Sequence, residues 1–282
     1  MADVDHKVTS PKWGQTVQLA IEDGIAWVTL SRPGKRNAIN PGIVWEMNAV
    51  LDYLEVTDEA KVVVMTGAGD AFSAGMDLKE FFRAYDDKTP IEREHLHRAN
   101  AAWQWRRMMY YPKPTLAMVN GWCFGGAFQV LVACDLAIAD EAATFGLSEI
   151  NWGIIPAGIV TKAVEQVMSQ RDALYYIMTG KTFDGRKAAE MRLVNEAVPA
   201  EELRPATIAL AKVLMEKNPF VLRQAKLGYR FSRGMSWEQA AEYLAAKADQ
   251  SDFRDPEGGR NKGMSQFIDD KTYRPGLQAY QR

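Results

Sequence analysis

The sequence predicts an α/β protein with a helical C-terminal region. Over the first 200 residues, apolar runs of strand length alternate with longer amphipathic segments, the pattern of a parallel sheet with crossover helices. Beyond about residue 200 only helical periodicity remains. Because such helices cannot bury their apolar stripes alone, we expect residues 201–282 to pack on the core formed by residues 1–200 or on another chain.

Local patterns define the individual elements. Residues 17–21 and 25–30 are apolar runs around Gly24 and predict a β-hairpin. Asn40 and Pro41, a capping residue and a residue that favours the first helical turn, predict a helix over residues 41–56. Further strands are expected at 62–66, 115–119, 135–139 and 144–145, and further helices at 91–109, 126–133, 200–217, 219–232, 236–249 and 256–269.

Composition argues against several classes of function. The 282 residues are 47% hydrophobic and 25% charged, an ordinary globular balance, and the formal net charge is −2. This charge gives no overall basic surface for nucleic acid, and no apolar run approaches the ~20 residues of a membrane span. The two cysteines, Cys123 and Cys134, predict no disulfide framework. We therefore expect a cytoplasmic protein that binds neither nucleic acid nor membrane.

Two glycine-bearing segments, residues 67–77 and 120–129, carry the main functional signal. Each follows an apolar run typical of a buried strand, where glycine permits close backbone approach. An apolar helix-like stretch begins at Gly126, and the first N–H groups of a helix are unpaired. Two such loops facing each other would offer a pair of donors to an oxyanion. Phosphate-binding patterns fail, since Phe72 and Tyr175 stand where those patterns need glycine.

The stretch from Phe145 to Pro156 holds one carboxylate, Glu149, among the apolar residues Phe145, Leu147, Ile150, Trp152 and Ile154. Glutamate is rarely buried without a functional reason. An apolar environment raises the pKa of a carboxyl, which suits a general acid/base. The alternative is an exposed glutamate at a turn before Gly153.

A metal site is not predicted from the three histidines, His6, His95 and His97. His95 and His97 are two residues apart in a helical stretch, so their side chains point in different directions. The sequence offers no clustering of histidine with carboxylates or cysteines of the kind that holds zinc.

Five motifs, in order along the chain, resemble the enoyl-CoA hydratase/isomerase (crotonase) superfamily. They are residues 32–38, 73–78, 120–127, 134–137 and 145–153. Within that superfamily, residues 75–80, 120–124, 146–153 and 271–280 are similar to the hydroxycinnamoyl-CoA (feruloyl-CoA) hydratase-lyases. The resemblance extends from about Trp13 to the C-terminus. It implies a spiral of ββα units, a C-terminal helical region that assists trimerisation, and a homotrimer or a dimer of trimers.

The resemblance also implies an acyl-CoA substrate, no metal or separate cofactor, and roles for individual residues. The backbone N–H groups of Met76 and Gly126 would hold the thioester oxygen as it becomes an enolate, and Glu149 would be the acid/base. Without the family, Lys35 and Arg36 would be ordinary surface charges. Residues implied to bind CoA or substrate, or to support their site, are Lys35, Arg36, Ala38, Ala74, Asp77, Leu78, Phe81, Trp122, Gln129 and Tyr243, with Phe267 and Lys271 reaching a neighbouring subunit's CoA.

Three positions depart from the pattern of the hydratase-lyases. Many crotonase hydratases carry a second glutamate at the position of Gln129, so a mechanism with a single carboxylate is expected here. Phe81 and Ala245 stand where hydratase-lyases tend to have tyrosines that hold the phenolic hydroxyl of the substrate. Recognition of that hydroxyl is therefore lost or reassigned to another tyrosine. The candidates are Tyr85, Tyr229 and Tyr243.

Three hypotheses follow for the function. The first is a hydroxycinnamoyl-CoA hydratase-lyase, which hydrates feruloyl- or p-coumaroyl-CoA and cleaves the product to an aromatic aldehyde (vanillin from feruloyl-CoA) and acetyl-CoA. The second keeps the fold without the cleavage, as an enoyl-CoA hydratase or isomerase on another bulky acyl-CoA. The third is a non-catalytic binding protein of the same fold, an RNA-binding one included, against which Glu149 and the two glycine loops argue.

Overall fold

The computed structural model describes residues 13–274, 276 and 278–282. His6 lies outside these residues, as do Pro275 and Leu277 of the C-terminal motif. The strands are β1 (Val17–Glu22), β2 (Ile25–Leu30), β3 (Val62–Gly67), β4 (Ala71–Ser73), β5 (Thr115–Val119), β6 (Trp122–Phe124), β7 (Leu136–Asp140), β8 (Thr144–Gly146), β9 (Thr182–Asp184) and β10 (Glu196–Val198). The helices are α1 (Pro41–Val56), α2 (Pro90–Ala101), α3 (Ala127–Ala133), α4 (Val160–Glu165), α5 (Gln170–Thr179), α6 (Gly185–Glu190), α7 (Ala200–Met215), α8 (Pro219–Ser232), α9 (Trp237–Arg254) and α10 (Gly259–Met264).

The strands form one large and one small sheet. The large sheet has the order β1-β2-β3-β5-β7-β10, antiparallel between β1 and β2 and parallel elsewhere. The small sheet has the order β4-β6-β8-β9, with β4, β6 and β8 parallel. A strand of the large sheet, a strand of the small sheet and a helix recur three times, as β3-β4-α2, β5-β6-α3 and β7-β8-α4. The predicted spiral of ββα units is confirmed.

Both faces of the large sheet are covered, as its nearly continuous apolar strands require. Helix α1 buries Met47 and Leu51 against one face, in the larger apolar core. Helix α7 covers the other face, where Leu203 and Ala211 pack with the side chain of Trp27. The first helix of the C-terminal region therefore belongs to the core of the sheet, while α8 and α9 pack mainly on each other.

Some predicted helices differ from the observed ones in length and geometry. The helix predicted at 91–109 is α2 followed by a π-helical segment over Ala102–Arg107. The helix predicted at 256–269 begins only at Gly259, because Gly258 has a positive φ of 61°, and it ends in a π-helical turn over Ser265–Asp269. None of the helices in the described ranges is long and apolar enough to cross a membrane.

Candidate active site

The small sheet brings three separate segments of the chain together. Because β4, β6 and β8 are neighbouring parallel strands, the residues that follow their carboxyl ends must lie side by side. Those residues are 74–77, 125–126 and 147–149. Both glycine loops and Glu149 therefore meet at one edge of the small sheet.

The first loop directs the amide of Met76 away from its neighbouring strand. Ile39 donates its N–H to the carbonyl of Gly75 at 2.7 Å and accepts the N–H of Asp77 at 2.9 Å, which is a parallel bridge centred on Met76. In this geometry the N–H of Met76 points to the opposite side. Gly75 has a φ of 86°, and a Cβ atom there would lie 2.6 Å from the carbonyl oxygen of Phe124. Only glycine fits without a shift of the backbone.

The second loop presents the amide of Gly126 from the start of α3. Gly125 donates its N–H to the carbonyl of Gly146 at 3.1 Å, which fastens the loop to the end of β8. Gly125 adopts a φ of 49°, and the carbonyl of Gly126 accepts the N–H of Gln129 at 3.2 Å. The N–H of Gly126 is left out of this bonding and faces the first loop.

The two loops are in direct contact. A Cβ atom on Gly75 would lie 3.1 Å from the nitrogen of Gly126, and one on Gly126 would lie 3.5 Å from the nitrogen of Met76. Within residues 13–274, 276 and 278–282, neither nitrogen donates a hydrogen bond. The site thus holds two adjacent unpaired amide donors, an arrangement suited to an oxygen that gains negative charge.

Glu149 extends its carboxyl group toward the second loop. It is the first residue of a 3₁₀ turn, Glu149–Trp152, and its Oε1 would lie 3.0 Å from a Cβ atom on Gly125. Its Oε2 is buried and has no hydrogen-bond partner in the part of the chain that the structure describes. Burial raises the pKa of Glu149 above its ordinary value, although a backbone hydrogen bond partly opposes the shift. This carboxyl can hold and release a proton beside the two amides.

The surroundings of Glu149 are less enclosed than its sequence context suggests. Phe145 and Leu147 are fully buried beneath it. Ile150, Trp152 and Ile154 are exposed instead, with 66% of Trp152 accessible. The 3₁₀ turn projects from the fold, so its apolar side chains cannot reach the core of their own chain. Burial of the carboxyl group is nevertheless the cause that raises the pKa of Glu149.

Asp77 anchors the loop that carries Met76. Its carboxylate accepts the N–H groups of Lys79 and Glu80 at 3.0 and 2.9 Å and so caps the π-helical turn Leu78–Phe82. Arg32 donates to Asp77 at 3.0 Å and to Glu80 at 2.7 Å. Burial alone would raise the pKa of Asp77, but the hydrogen bonds from Glu80 and Arg32 outweigh it and lower the pKa. The expected role of Asp77 in holding the loop agrees with these contacts.

The residues expected to bind CoA border the first loop. Lys35 and Arg36 are exposed on a turn that begins at Pro33. The carbonyl of Arg36 accepts the N–H of Ala74 at 2.8 Å, and its guanidinium lies 4.1 Å from the centre of the Trp122 ring. Ala38 offers its carbonyl to Arg32 at 2.6 Å. Arg36 and the indole ring of Trp122 thus lie next to the segment that leads to Met76, with Lys35 exposed on the same turn as Arg36.

The remaining residues expected near the acyl group divide into buried and exposed ones. Gln129 is buried on α3, one turn beyond Gly126, and faces Gly158 of the loop after Glu149. Phe81 is 2% exposed, and its ring packs edge-on against His97 at 5.4 Å. Leu78 is exposed at the start of the same π-helical turn.

Several predicted residues are not brought to the loops by this chain. Tyr243 on α9 packs against Phe231 of α8, and Phe267 packs against Tyr273, all within the C-terminal helices and tail. Lys271, Ala245 and Tyr229 are exposed, while Tyr85 packs on the main core. The contribution of Tyr243, Phe267 and Lys271 to a site remains a prediction.

The two histidines that the structure describes, His95 and His97, each pack on an aromatic ring. His95 lies 5.1 Å from the ring of Trp45, and His97 packs on Phe81. The described residues contain no group of three or more histidine, cysteine or acidic side chains that could hold a metal ion.

A family model for enoyl-CoA hydratase/isomerase matches residues 20–274. The chain belongs to the enoyl-CoA hydratase/isomerase family. A hydroxycinnamoyl-CoA hydratase-lyase of Pseudomonas fluorescens is 58% identical over 271 residues, which cover 96% of this chain and 98% of the relative. A mevalonyl-coenzyme A hydratase of Aspergillus fumigatus is 30% identical over 79% of this chain and 80% of its own length.

Solved structures of this family share the fold. An enoyl-CoA hydratase from Shewanella pealeana superposes with a TM-score of 0.79 at 26% identity, over 90% of this chain and 94% of that one. An enoyl-CoA hydratase from Mycobacterium smegmatis superposes with a TM-score of 0.82 at 22% identity, over 91% of this chain and 97% of that one. At this identity the comparison shows a shared fold only.

Sequence reasoning missed three polar residues that hold the site together. Arg32 bonds Asp77 and Glu80, and Asn37 bonds the backbone of Ala68, after β3, and of Ala71, at the start of β4. Gln104 reaches the loops from the π-helical segment after α2. Arg32 lies within a motif shared with the family, which is the signal that could have found it, whereas Gln104 had none.

A Gly75→Ala substitution should abolish most activity. The added methyl group meets the carbonyl of Phe124 at 2.6 Å, and alanine disfavours a φ of 86°, so the loop must move and the two amides must separate. We expect a loss of at least about 100-fold in kcat, the cost of one displaced oxyanion donor. Steady-state kinetics measure it, and Gly34→Ala, where a Cβ meets nothing within 4 Å, is the control. Unchanged kcat in the Gly75 variant would contradict the arrangement.

The stability of the protein should depend on pH through Glu149. Because its pKa is raised in the folded state, its contribution to stability is full below the unfolded pKa and is lost as pH rises through the folded pKa. Glu149→Gln cannot lose a proton, so its free energy of unfolding relative to wild type should increase as pH rises from about 4 to 8. Urea unfolding at fixed protein concentration measures this difference.

Glu165 provides a control of opposite sign for this measurement. Hydrogen bonds from Lys162 and Gln166 lower the pKa of its exposed carboxyl. Relative to wild type, Glu165→Gln should therefore lose stability as pH rises, by a small amount because the pair is exposed. If both variants changed in the same direction, the assigned protonation of Glu149 would be wrong.

Proposed function

We propose that this protein is a hydroxycinnamoyl-CoA hydratase-lyase. It would add water across the double bond of an enoyl-CoA of the feruloyl or p-coumaroyl type and then cleave the product to an aromatic aldehyde and acetyl-CoA. The 58% identity to the Pseudomonas fluorescens hydratase-lyase, over nearly the whole of both chains, supports the substrate class. The observation that carries the chemistry is the pair of unpaired amides of Met76 and Gly126 beside the buried carboxyl of Glu149.

In the first step, the thioester oxygen lies between the amides of Met76 and Gly126. Glu149 takes a proton from water as its oxygen bonds to Cβ, and the electrons of the double bond move toward the thioester, whose oxygen becomes an enolate oxyanion. Each amide donor at such an oxyanion is worth about 10²–10³ in kcat. Glu149 then returns its proton to Cα, which yields the β-hydroxy thioester.

In the second step, the same groups run a retro-aldol cleavage. Glu149 takes the proton of the β-hydroxyl, the C–O bond gains double-bond character and the Cα–Cβ bond breaks. Its electron pair moves to the thioester as a second enolate, held by the same two amides. Protonation at Cα gives acetyl-CoA, and the other fragment leaves as the aldehyde. One site serves both steps because both pass through charge on the same oxygen.

The CoA moiety supplies the rest of the recognition. Lys35, Arg36 and Ala38 would hold the phosphates and adenine of CoA, and the contacts of Arg36 with Ala74 and with the ring of Trp122 support this proposal. We further propose that the reaction uses no metal and no separate cofactor. Neither step changes the net oxidation state of the substrate, and charge on the thioester oxygen is stabilised by amides. Cytoplasmic location remains part of the proposal.

A second candidate keeps the hydration and omits the cleavage, on another bulky acyl-CoA. The observation that favours it is Phe81, which is buried and carries no hydroxyl to meet a phenol. A buried polar group that loses its hydrogen-bond partner costs ~1–3 kcal/mol, enough to shift the preference among aromatic acyl groups. Feruloyl-, p-coumaroyl-, cinnamoyl- and crotonyl-CoA, each scored for hydrated thioester, aldehyde and acetyl-CoA, separate the two candidates. Hydration without aldehyde throughout would select the second.

Glu149→Gln should stop turnover. Glutamine keeps the shape of the side chain but cannot exchange a proton near neutral pH, and loss of a general acid/base typically costs 10²–10⁴-fold. The rates of aldehyde and acetyl-CoA release from feruloyl-CoA should fall by that factor. Binding of the CoA ester, measured by calorimetry, should be retained. Glu165→Gln, at an exposed glutamate on α4, is the matched control and should retain full activity. Aldehyde formation at the wild-type rate in Glu149→Gln would refute the proposal.

We propose that the protein works as a homotrimer or a dimer of trimers. An apolar surface patch, formed by the 3₁₀ turn after Glu149 and by α5, supports this assembly because it borders the site and is uncovered in one chain. Its members are Ile150, Trp152, Ile154, Ile155, Leu174 and Met178. Exposed apolar surface of this kind marks a protein interface.

Sedimentation should give three or six times the chain mass for the wild-type protein. Met178→Asp places a charge in the apolar surface patch and should shift the distribution toward smaller species. Val56→Asp, at an equally exposed apolar residue outside the patch, should leave the assembly unchanged. A monomeric wild-type protein would contradict the proposed assembly.

A further inference from the structure

A buried glutamine touches both residues that carry the unpaired amides. Gln104 is fully buried. Its Nε2 lies 3.7 Å from the sulfur of Met76 and 3.5 Å from the carbonyl oxygen of Gly126. Gln104 therefore contacts one residue of the first loop, Met76, and one residue of the second loop, Gly126. The side-chain amide of Gln104 thus connects the two loops whose spacing defines the site.

A second amide fixes the orientation of the first. Asn100, one turn earlier in α2 and also buried, donates its Nδ2 to Oε1 of Gln104 at 2.6 Å. The orientation of the two amides follows from this network. If both amides were reversed, Oε1 of Gln104 would face the carbonyl of Gly126, and two acceptors would oppose each other. The carbonyl of Gly126 therefore selects the orientation in which Gln104 donates to the loops.

The helix that carries Gln104 has an irregular backbone at this residue. Gln104 lies in the π-helical segment Ala102–Arg107, which interrupts an otherwise regular helix. Such segments widen the helix, are intrinsically unfavourable and occur often at functional sites. Trp103, fully buried next to Gln104, fixes the segment in the core. The widened turn packs directly on α3, the helix that begins after Gly126.

We propose that Gln104, oriented by Asn100, is a positioning residue that sets the spacing and direction of the Met76 and Gly126 amides. The carbonyl of Gly126 accepts hydrogen bonds from the N–H of Gln129 and from the amide of Gln104. These two bonds restrain the backbone of Gly126 and so the direction of its own N–H. The contact of Gln104 with the sulfur of Met76 restrains that side chain, whose Cγ and Sδ lie against Gly126. This inference rests on the proposed function of the two amides.

Gln104→Met tests the inference, since methionine preserves the length and burial of the side chain and removes the amide. We expect kcat to fall by about tenfold or more while KM changes by less than about twofold, because only binding of the charged oxygen is impaired. Asn100→Asp is a second variant that keeps Gln104 in place. A carboxylate cannot donate to Oε1, so Gln104 reverses and presents its oxygen to Gly126, and the same loss of kcat follows.

Asn48→Leu is the matched control for damage to the helix. Asn48 on α1 bonds the carbonyl of Ala99 in α2 at 2.9 Å and does not touch the loops. Its substitution should lower the unfolding midpoint and leave kcat unchanged. In the double variant Asn100→Asp with Gln104→Met, kcat should fall no further than in Gln104→Met alone, because Asn100 acts through Gln104.

The carbonyl stretch of a bound thioester separates this inference from the proposed function. Hydrocinnamoyl-CoA labelled with ¹³C at the thioester carbonyl is saturated and does not turn over. In the wild-type protein its stretch should shift to lower wavenumber on binding, and both Gln104→Met and Asn100→Asp should reduce the shift. Equal shifts in wild type and variants would overturn the role of Gln104 alone. No shift in the wild type would overturn the pair of amide donors, and this inference with it.

Discussion

The site depends on close contact between two stretches of main chain that come from different strands. The carbonyl of Phe124 occupies the space where a Cβ atom of residue 75 would stand, and a Cβ atom on Gly146 would meet the ring of Phe124 at 2.3 Å. Because residues 75, 126 and 146 are glycines, no Cβ atom of theirs keeps the loops apart. Amides that project into such a gap have fixed directions, and they need no reorganisation when charge develops between them.

Polar side chains, rather than apolar packing, hold this contact together. Arg32 links the turn that begins at Pro33 to Asp77 and Glu80, and Asn37 bonds the carbonyls of Ala68 and Ala71 on either side of the turn between β3 and β4. Asn37 has a φ of 54°, a conformation that asparagine tolerates better than most residues. Because each of these groups is bonded more than once, losing one would leave partners unsatisfied. The turn that carries Lys35 and Arg36 and the loop that carries the Met76 amide are therefore parts of one hydrogen-bonded unit.

The sequence predicted the long elements well, because buried strands and amphipathic helices repeat a pattern over many residues. The hairpin, α1, β3, β5 and the helices from α7 onward were expected, whereas the helices α4, α5 and α6 were not. Three-residue strands such as β4 and β6 were not, since so short a segment has no period to detect, yet these strands align the loops. Glycine spacing and the family resemblance indicated Met76, Gly126 and Glu149. Arg32 and Gln104 were missed because their partners lie far away in the chain and only the fold brings them together.

A site with a single acid/base carboxyl suits a reaction in which each step returns that carboxyl to its starting protonation state. In hydration the proton taken from water can return at Cα, and in cleavage the proton taken from the β-hydroxyl can return at the same carbon. In the proposed reaction Glu149 would recover its starting state twice, and no second acid would be required. Gln129, buried one turn beyond Gly126, cannot exchange a proton near neutral pH, but its amide can orient a water. The buried Oε2 of Glu149 has no hydrogen-bond partner among the described residues and is free to accept one from a water, so the missing second glutamate is consistent with hydration followed by cleavage.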